Sequence, residues 1–282
     1  MLSTATSFDL QRPHPRQERA TRGEGCPMRA LTREVPTTFA SGLTTADLGL
    51  ADVALARLQH EGYVRCLREA GFEVLVLPPD EAFPDSCFVE DTAVRIDDDH
   101  LVLTRPGHPS RHGEVSAVEG NLRPRFARTS TLGDSAYLDG GDVLRAVVGG
   151  RPHFVIGLSG RTNAEGARQL GDVITACGYT SSVATVADGL HLKSGSSFLG
   201  DRVLCWASLE PIYRELGLDT LVVPDVEGYA ANTVLANGRL LVASGFPATA
   251  ALLRGNGYPV VEVDVSEFRK QDGGLSCLSI LF

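Results

Sequence analysis

Several features are missing from this 282-residue chain. No apolar run approaches the roughly 20 residues that a membrane-crossing helix needs; the longest apolar stretches are strand-sized. Basic charge is not in excess. A net charge of −9 at pH 7 argues against nucleic acid as the main partner, because phosphate binding needs basic patches. The cysteines Cys26, Cys66, Cys87, Cys177, Cys205 and Cys277 are dispersed, without a CxxC pair or zinc-type spacing. In a chain of this length they read as reduced thiols of a cytoplasmic protein. Residues 1–27 lack the apolar centre of a signal peptide. They carry Arg12, Arg16, Arg19 and Arg22 among three prolines, and Asp9, Glu18 and Glu24 dilute a transit-peptide pattern. They are expected to form a disordered extension, with Met28 a candidate true start and residues 28–282 one domain. What is present is enough chain to bury a large core without disulfides. The acidic balance also suits a cationic small-molecule ligand.

Four stretches share one plan: Cys87–Arg111, Tyr137–Gly166, His191–Pro211 and Ala231–Thr249. Each opens on a few polar residues. A short apolar strand follows, then a tight turn ("DDDH", "VGGRP", "LGDR", "ANGR"), then a second strand ending in a polar or small cluster. Such turns are what hairpins require. Helical patterns and short strands lie between the hairpins. One is "TNAEGARQLGDVITACG", with Asn163 or Thr162 as cap, helical spacing through Ala167, Leu170, Val173 and Ile174, and a stop at Gly178. The unit is therefore strand, strand, helix, strand. The terminal "LSCLSILF" lacks a following partner and "RALTREVP" lacks a preceding one. Pairing them makes a fifth unit and closes a ring, an α/β propeller of five ββαβ blades with few exposed sheet edges.

In such a ring the start of every first strand faces the axis. Those starts carry Asp85, Glu90 and Asp91, then Asp139 and Asp142, then His191 and Lys193, then Asn232, then Cys277. Cys277 follows two glycines that permit close backbone approach. A buried cysteine is usually inert, and attack requires thiolate with a cation nearby, either His191 or the substrate. Imidazole suits general acid/base work near neutral pH. Two or three converging carboxylates receive a planar guanidinium, and Arg105 and Arg161, each ending a second strand, fit a clamp for an α-carboxylate. Together these residues describe an amino acid with a guanidino tail whose central carbon is attacked by sulfur. The acids of "DDDH" read as a solvated turn.

The segments "FPDSCFVED", "TRPG", "RTNAEGARQ", "HLKSG", "YAAN", "EVDVSEFRK" and "DGGLSCLSILF" occur in this order. From Met28 to Phe282 the chain closely resembles the dimethylarginine dimethylaminohydrolases. These belong to the guanidino-group-modifying superfamily, whose fold is the five-bladed α/β propeller. The resemblance implies hydrolysis of Nω-methylated arginine to citrulline and methylamine or dimethylamine, with Cys277 forming a covalent thiouronium and His191 serving first as acid, then as base. It further implies that Asp139 orients His191 and that Asp85, Glu90 and Asp91 bind the guanidinium. Arg105 and Arg161 would bind the carboxylate, and Leu43 and Gln271 the α-amino group, largely through backbone carbonyls. No cofactor and no resident metal are expected; a Cys–His pair can take up zinc adventitiously, as an inhibitor. The expected partner is the small-molecule substrate, with neither nucleic acid nor membrane, and a homodimer is left open. Arginine deiminase, or another guanidine hydrolase, is the alternative. Arginine deiminases usually add a helical domain for which there is no room here, and the paired arginines count against agmatine. A propeller that only binds a partner is a further alternative, and would not need Cys277, His191 and the acids together.

Overall fold

The computed structural model describes residues 28–282; the expected disordered extension, residues 1–27, lies outside the described residues. The chain builds five three-stranded sheets. Strand β1 (Arg29–Arg33) leads through helix α1 (Val53–Glu69) to β2 (Glu73–Leu77). Then come β3 (Ala93–Arg95), β4 (His100–Leu103), α2 (Glu114–Leu122) and β5 (Arg128–Thr131). The third set is β6 (Val143–Val148), β7 (Arg151–Leu158), α3 (Ala164–Ala176) and β8 (Thr180–Thr185). The fourth is β9 (Ser196–Phe198), β10 (Val203–Cys205), α4 (Glu210–Glu215) and β11 (Thr220–Val222). The fifth is β12 (Thr233–Ala236), β13 (Arg239–Ala243), α5 (Pro247–Gly255) and β14 (Val260–Val263). Helix α6 (Ser266–Arg269) and β15 (Ile280–Leu281) end the chain.

Every sheet has the same wiring. Its first two strands are antiparallel, and the second pairs in parallel with the third across a helix. A parallel partner needs a crossover, which explains why each helix sits between second and third strands. The chain's two ends make the remaining blade: β15 pairs antiparallel with β1, Leu31 facing Ile280, and β1 pairs in parallel with β2. The mixed α/β fold is thus a repeat of five small sheets in a pseudo-fivefold, propeller-like arrangement.

Local sequence accounts for the pieces. Asp52 caps α1 by accepting from the N–H groups of Ala54 and Leu55, and Asn163 caps α3 by accepting from Gly166. The β12–β13 turn needs left-handed backbone at Asn237 and Gly238 (φ 50° and 80°), which Asn and Gly tolerate best. Residues from all five first strands, among them Val94, Leu144, Phe198, Leu235 and Leu281, line one axial cavity of about 340 Å³. The first strands therefore surround the axis.

The strand expected to begin at Leu275 is much shorter. Cys277 lies in a 3-10 turn, Ser276–Leu278, and only Ile280–Leu281 is strand. The same holds around the axis, where 3-10 turns Val89–Thr92, Gly140–Asp142, Leu192–Ser194 and Asp225–Ala231 precede the other first strands. Polar side chains that bond nearby backbone compete with sheet ladders, so these openings curl rather than extend.

Candidate active site

On one side of the axis the turns and their neighbouring loops enclose a small cleft. Cys277, His191, Asp85 and Asp91 line it, together with Leu43, Arg161 and Gln271, and with Arg111, Phe88 and Leu190. Seven residues singled out in the sequence thus share one cavity although they span positions 43 to 277.

Each acid has a separate set of bonds. Both oxygens of Asp85 accept from the Leu43 N–H at 3.1 and 3.2 Å. Asp91 accepts from Arg111 at 2.6 Å and from the Gly141 N–H at 2.9 Å. One oxygen of Asp139 meets His191 Nε2 at 2.9 Å, and the other accepts from the Gly107 N–H at 2.6 Å. Asp139 is fully buried behind the imidazole and is not among the residues lining the cleft. Asp142 holds three loops together. It accepts from Ser159 and Thr162, each at 2.6 Å, and from the Leu192 N–H at 2.9 Å. It fixes the segment that carries Arg161 against the one that carries His191.

These bonds set the charge states. Burial alone would lower the His191 pKa, but Asp91, then Asp139 and Asp142, outweigh it and raise it to about 9. The imidazole is therefore a cation at neutral pH. Burial pushes the Cys277 thiol far up, and the neighbouring charges of Glu90 and Asp91 push it further. Burial likewise raises the Asp85 carboxyl, against the pull of Arg111 and Arg161. For Asp91, burial is overcome by His191 and Arg111, and its pKa is lowered. The resting site combines a neutral thiol, an imidazolium and at least one firmly ionised acid.

Two residues expected to bind substrate, Glu90 and Arg105, turn away from the cleft. Glu90 sits beside Asp91 in a 3-10 turn, so the two side chains diverge. Its carboxylate takes Lys193 Nζ at 2.6 Å and Ser276 Oγ at 2.7 Å, on the side of the axial cavity. Arg105 pairs its backbone with Leu138. Its guanidinium lies 5.2 Å over the Tyr137 ring and bonds Asp134. The guanidinium that does line the cleft beside Arg161 belongs to Arg111. It is saturated: besides Asp91, its Nε donates to both Glu114 oxygens at 3.1 Å, and a terminal nitrogen donates to Glu114 at 2.8 Å and to the Phe88 carbonyl at 3.0 Å. Arg111 braces the acid loop, whereas among the described residues the Arg161 guanidinium makes no hydrogen bond, and its charge acts on Asp85. The signal for Arg111 was "RHGE", an arginine three residues before a glutamate at a helix start.

Among the described residues one group could be read as metal ligands: Asp91, Asp139 and His191, whose donor atoms lie within 4.8 Å of one another. Their oxygens already accept from Arg111, Gly141, Gly107 and the imidazole. That is a cradle for an imidazolium rather than for an ion.

A thiol, an imidazolium braced by carboxylate, two further acids and two arginines thus meet around one cleft. The comparisons with known proteins point to one family. The family model described as N,N dimethylarginine dimethylhydrolase, eukaryotic, matches residues 49–193. The chain is 37% identical to the N(G),N(G)-dimethylarginine dimethylaminohydrolase of Pseudomonas aeruginosa, across 89% of this chain and 98% of that one. It is 35% identical to the enzyme of that name from Streptomyces coelicolor, across 89% and 96%. The solved Pseudomonas aeruginosa structure of a cysteine-to-serine variant complexed with citrulline superposes with a TM-score of 0.85 at 36% identity, covering 90% of this chain and 98% of that chain. The chain belongs to the dimethylarginine dimethylaminohydrolase family.

Proposed function

We propose that this protein hydrolyses Nω-methylated L-arginine to L-citrulline and dimethylamine or methylamine. The observation that carries the reading is the presence of Cys277, His191, Asp85 and Asp91 in the walls of a single cleft. The flat cation lies between the two carboxylates. Its α-carboxylate pairs with Arg161. Its α-ammonium donates to the Leu43 carbonyl and to Gln271, whose side-chain Oε1 is buried and has no hydrogen-bond partner among the described residues.

Arrival of the cation offsets Glu90 and Asp91, so the Cys277 proton departs to solvent and the sulfur becomes thiolate. Sulfur attacks the central guanidinium carbon and a carbon–sulfur bond forms. The His191 imidazolium gives its proton to the methylated nitrogen, the carbon–nitrogen bond breaks, and the amine leaves. A cationic thiouronium remains beside a now neutral imidazole. Water enters and gives a proton to His191 while its oxygen bonds to the same carbon. The carbon–sulfur bond then breaks as the adduct's remaining hydroxyl proton passes to solvent, releasing neutral citrulline and a thiolate that takes up a proton again once the cation has left. No step calls on a metal or an organic cofactor. We place the enzyme in the cytoplasm, in keeping with five described cysteines that are all free and with no described helix long and apolar enough to cross a membrane.

The test is citrulline release from asymmetric dimethylarginine, monomethylarginine, arginine and agmatine in parallel. The methylated substrates are expected to lead, and Cys277→Ser is expected to bind them without turnover. Preference for arginine or agmatine, or full activity in Cys277→Ser, refutes the reading.

A further inference from the structure

Beside the nucleophile turn is a closed ring of four side chains and the Lys193 backbone carbonyl, drawn from four blades. Asn232 Nδ2 donates to the Lys193 carbonyl at 2.8 Å and to Ser276 Oγ at 2.9 Å, while its Oδ1 accepts from the Ser276 N–H at 2.9 Å. Ser276 Oγ donates to Glu90 at 2.7 Å, and Lys193 Nζ closes the circuit on Glu90 at 2.6 Å. Three of the four members adjoin residues of the reaction: Glu90 precedes Asp91, Ser276 precedes Cys277, and Lys193 follows His191 by two. Asn232 has no such neighbour, is 4% exposed, and does not line the reactive cleft. Its amide bridges the segment carrying the imidazole to the turn carrying the sulfur. The approach is close: a Cβ on Gly274 would lie 2.6 Å from Asn232 Cγ. Glu90, Lys193 and Ser276 also line the axial cavity, so the ring divides that space from the sulfur.

We propose that Asn232 is a positioning residue for this reaction. Its amide sets the nucleophile turn against the histidine segment, and the ring it completes keeps axial water from Cys277. Attack and proton transfer need both groups within a few tenths of an ångström of a productive arrangement, and misplacement by about 1 Å can cost on the order of 100-fold. Side chains that bind the substrate are untouched by the ring. The inference rests on the proposed hydrolysis of methylated arginine, so wild-type turnover is measured first. A wild-type enzyme inactive on methylated arginines sinks that reading, and the ring is then tested by alkylation alone.

Asn232→Ala, Ser276→Ala and the double variant are compared with wild type at 20 °C, with folding checked by circular dichroism. Asn232→Ala is expected to lose about 10- to 100-fold in kcat with KM within about threefold. The double variant is expected to be no worse than Asn232→Ala, because both substitutions open one ring. Alkylation of Cys277 by iodoacetamide, followed by peptide mass, is expected to quicken while that of the fully buried Cys87 and Cys205 does not. A purely structural role would leave kcat per folded molecule unchanged, or expose all three thiols together. If Asn232→Ala does not fold, Ser276→Ala alone decides, with about a 3- to 10-fold loss of kcat expected. Unchanged kcat with unchanged Cys277 alkylation, or losses that multiply independently in the double variant, overturn the proposal.

Discussion

Replacing Asp91 by Asn removes one charge without changing shape, and its consequences can be worked from the distances. Donor atoms of Asp91 and His191 lie within 4.8 Å. At that separation, with an effective dielectric constant of about 20, their attraction is on the order of 3 kcal/mol, or about two pKa units. The imidazole, raised to about 9 in the wild type, should then titrate near 7, still supported by Asp139 and Asp142. The Asn oxygen can keep the bond from the Gly141 N–H, which turns its NH₂ toward the Arg111 nitrogen and leaves two donors opposed. Arg111 keeps Glu114, so the fold should survive at a cost near the lower end for a broken buried pair, about 3 kcal/mol. For the substrate, loss of a charge-assisted bond of about 1.5–3 kcal/mol lowers kcat/KM by roughly 10- to 150-fold. The sign with pH is distinctive. The amine-departure step needs imidazolium, which the wild type holds to about pH 9 and the variant loses near neutrality. The deficit in kcat should therefore widen between pH 6 and pH 8.5. Carbon-detected titration of the seven histidines, with His191→Gln giving the assignment, measures the midpoint directly. A midpoint that moves by less than about half a unit would refute the claim that Asp91 is the main source of the raised basicity.

Three other outcomes follow from the same geometry. The rise of the His191 pKa from 6.5 to about 9 contributes about 3 kcal/mol of stability; it is fully present below pH 6.5 and is lost as pH rises through about 9. Urea midpoints that fail to fall between pH 7 and pH 10 would contradict it. In Gly141→Ala the added Cβ would lie 2.7 Å from His191 Nδ1 and 2.9 Å from Asp91 Oδ1, so kcat should drop at least tenfold, and steady-state kinetics at constant folded fraction check this. In Gln271→Leu, loss of an unpartnered acceptor should reduce kcat/KM for dimethylarginine by roughly tenfold and leave the analogue without an α-amino group nearly unaffected. Equal losses for the two compounds would count against an ammonium at Oε1.

Much of the fold is readable because it repeats. Turn residues recur after every first strand, and helical spacing such as that of Ala167, Leu170 and Ile174 falls where a parallel crossover requires it. The closure of the chain's two ends follows from two unpaired strands, and the Leu31–Ile280 pairing realises it. What a linear reading cannot resolve is side-chain direction where the backbone leaves regular geometry. Arg105 and Arg161 occupy matching places after a second strand, but Arg105 is drawn into a bridge with Leu138 that points its guanidinium over Tyr137. Glu90 and Asp91 are neighbours in sequence, and a 3-10 turn sends one to each side of the ring formed with Lys193. Arg111 escapes attention because a loop, not a strand, returns it to the acids. Its role depends on Glu114, which only the first turn of α2 brings into range.

The surplus of carboxylates around the cleft has two opposed effects. Negative charge from Asp91 holds a proton on His191, and burial, reinforced by Glu90 and Asp91, holds one on Cys277. An enzyme resting as thiol and imidazolium cannot attack a neutral molecule, because nothing compensates the thiolate. On the proposed reading, a flat cation between Asp85 and Asp91 would supply that compensation, restoring the nucleophile while leaving the imidazolium charged for the departing amine. Discrimination in favour of cationic amidines would then lie in ionisation as well as in shape. A neutral isostere of the same outline should bind without ever generating the thiolate.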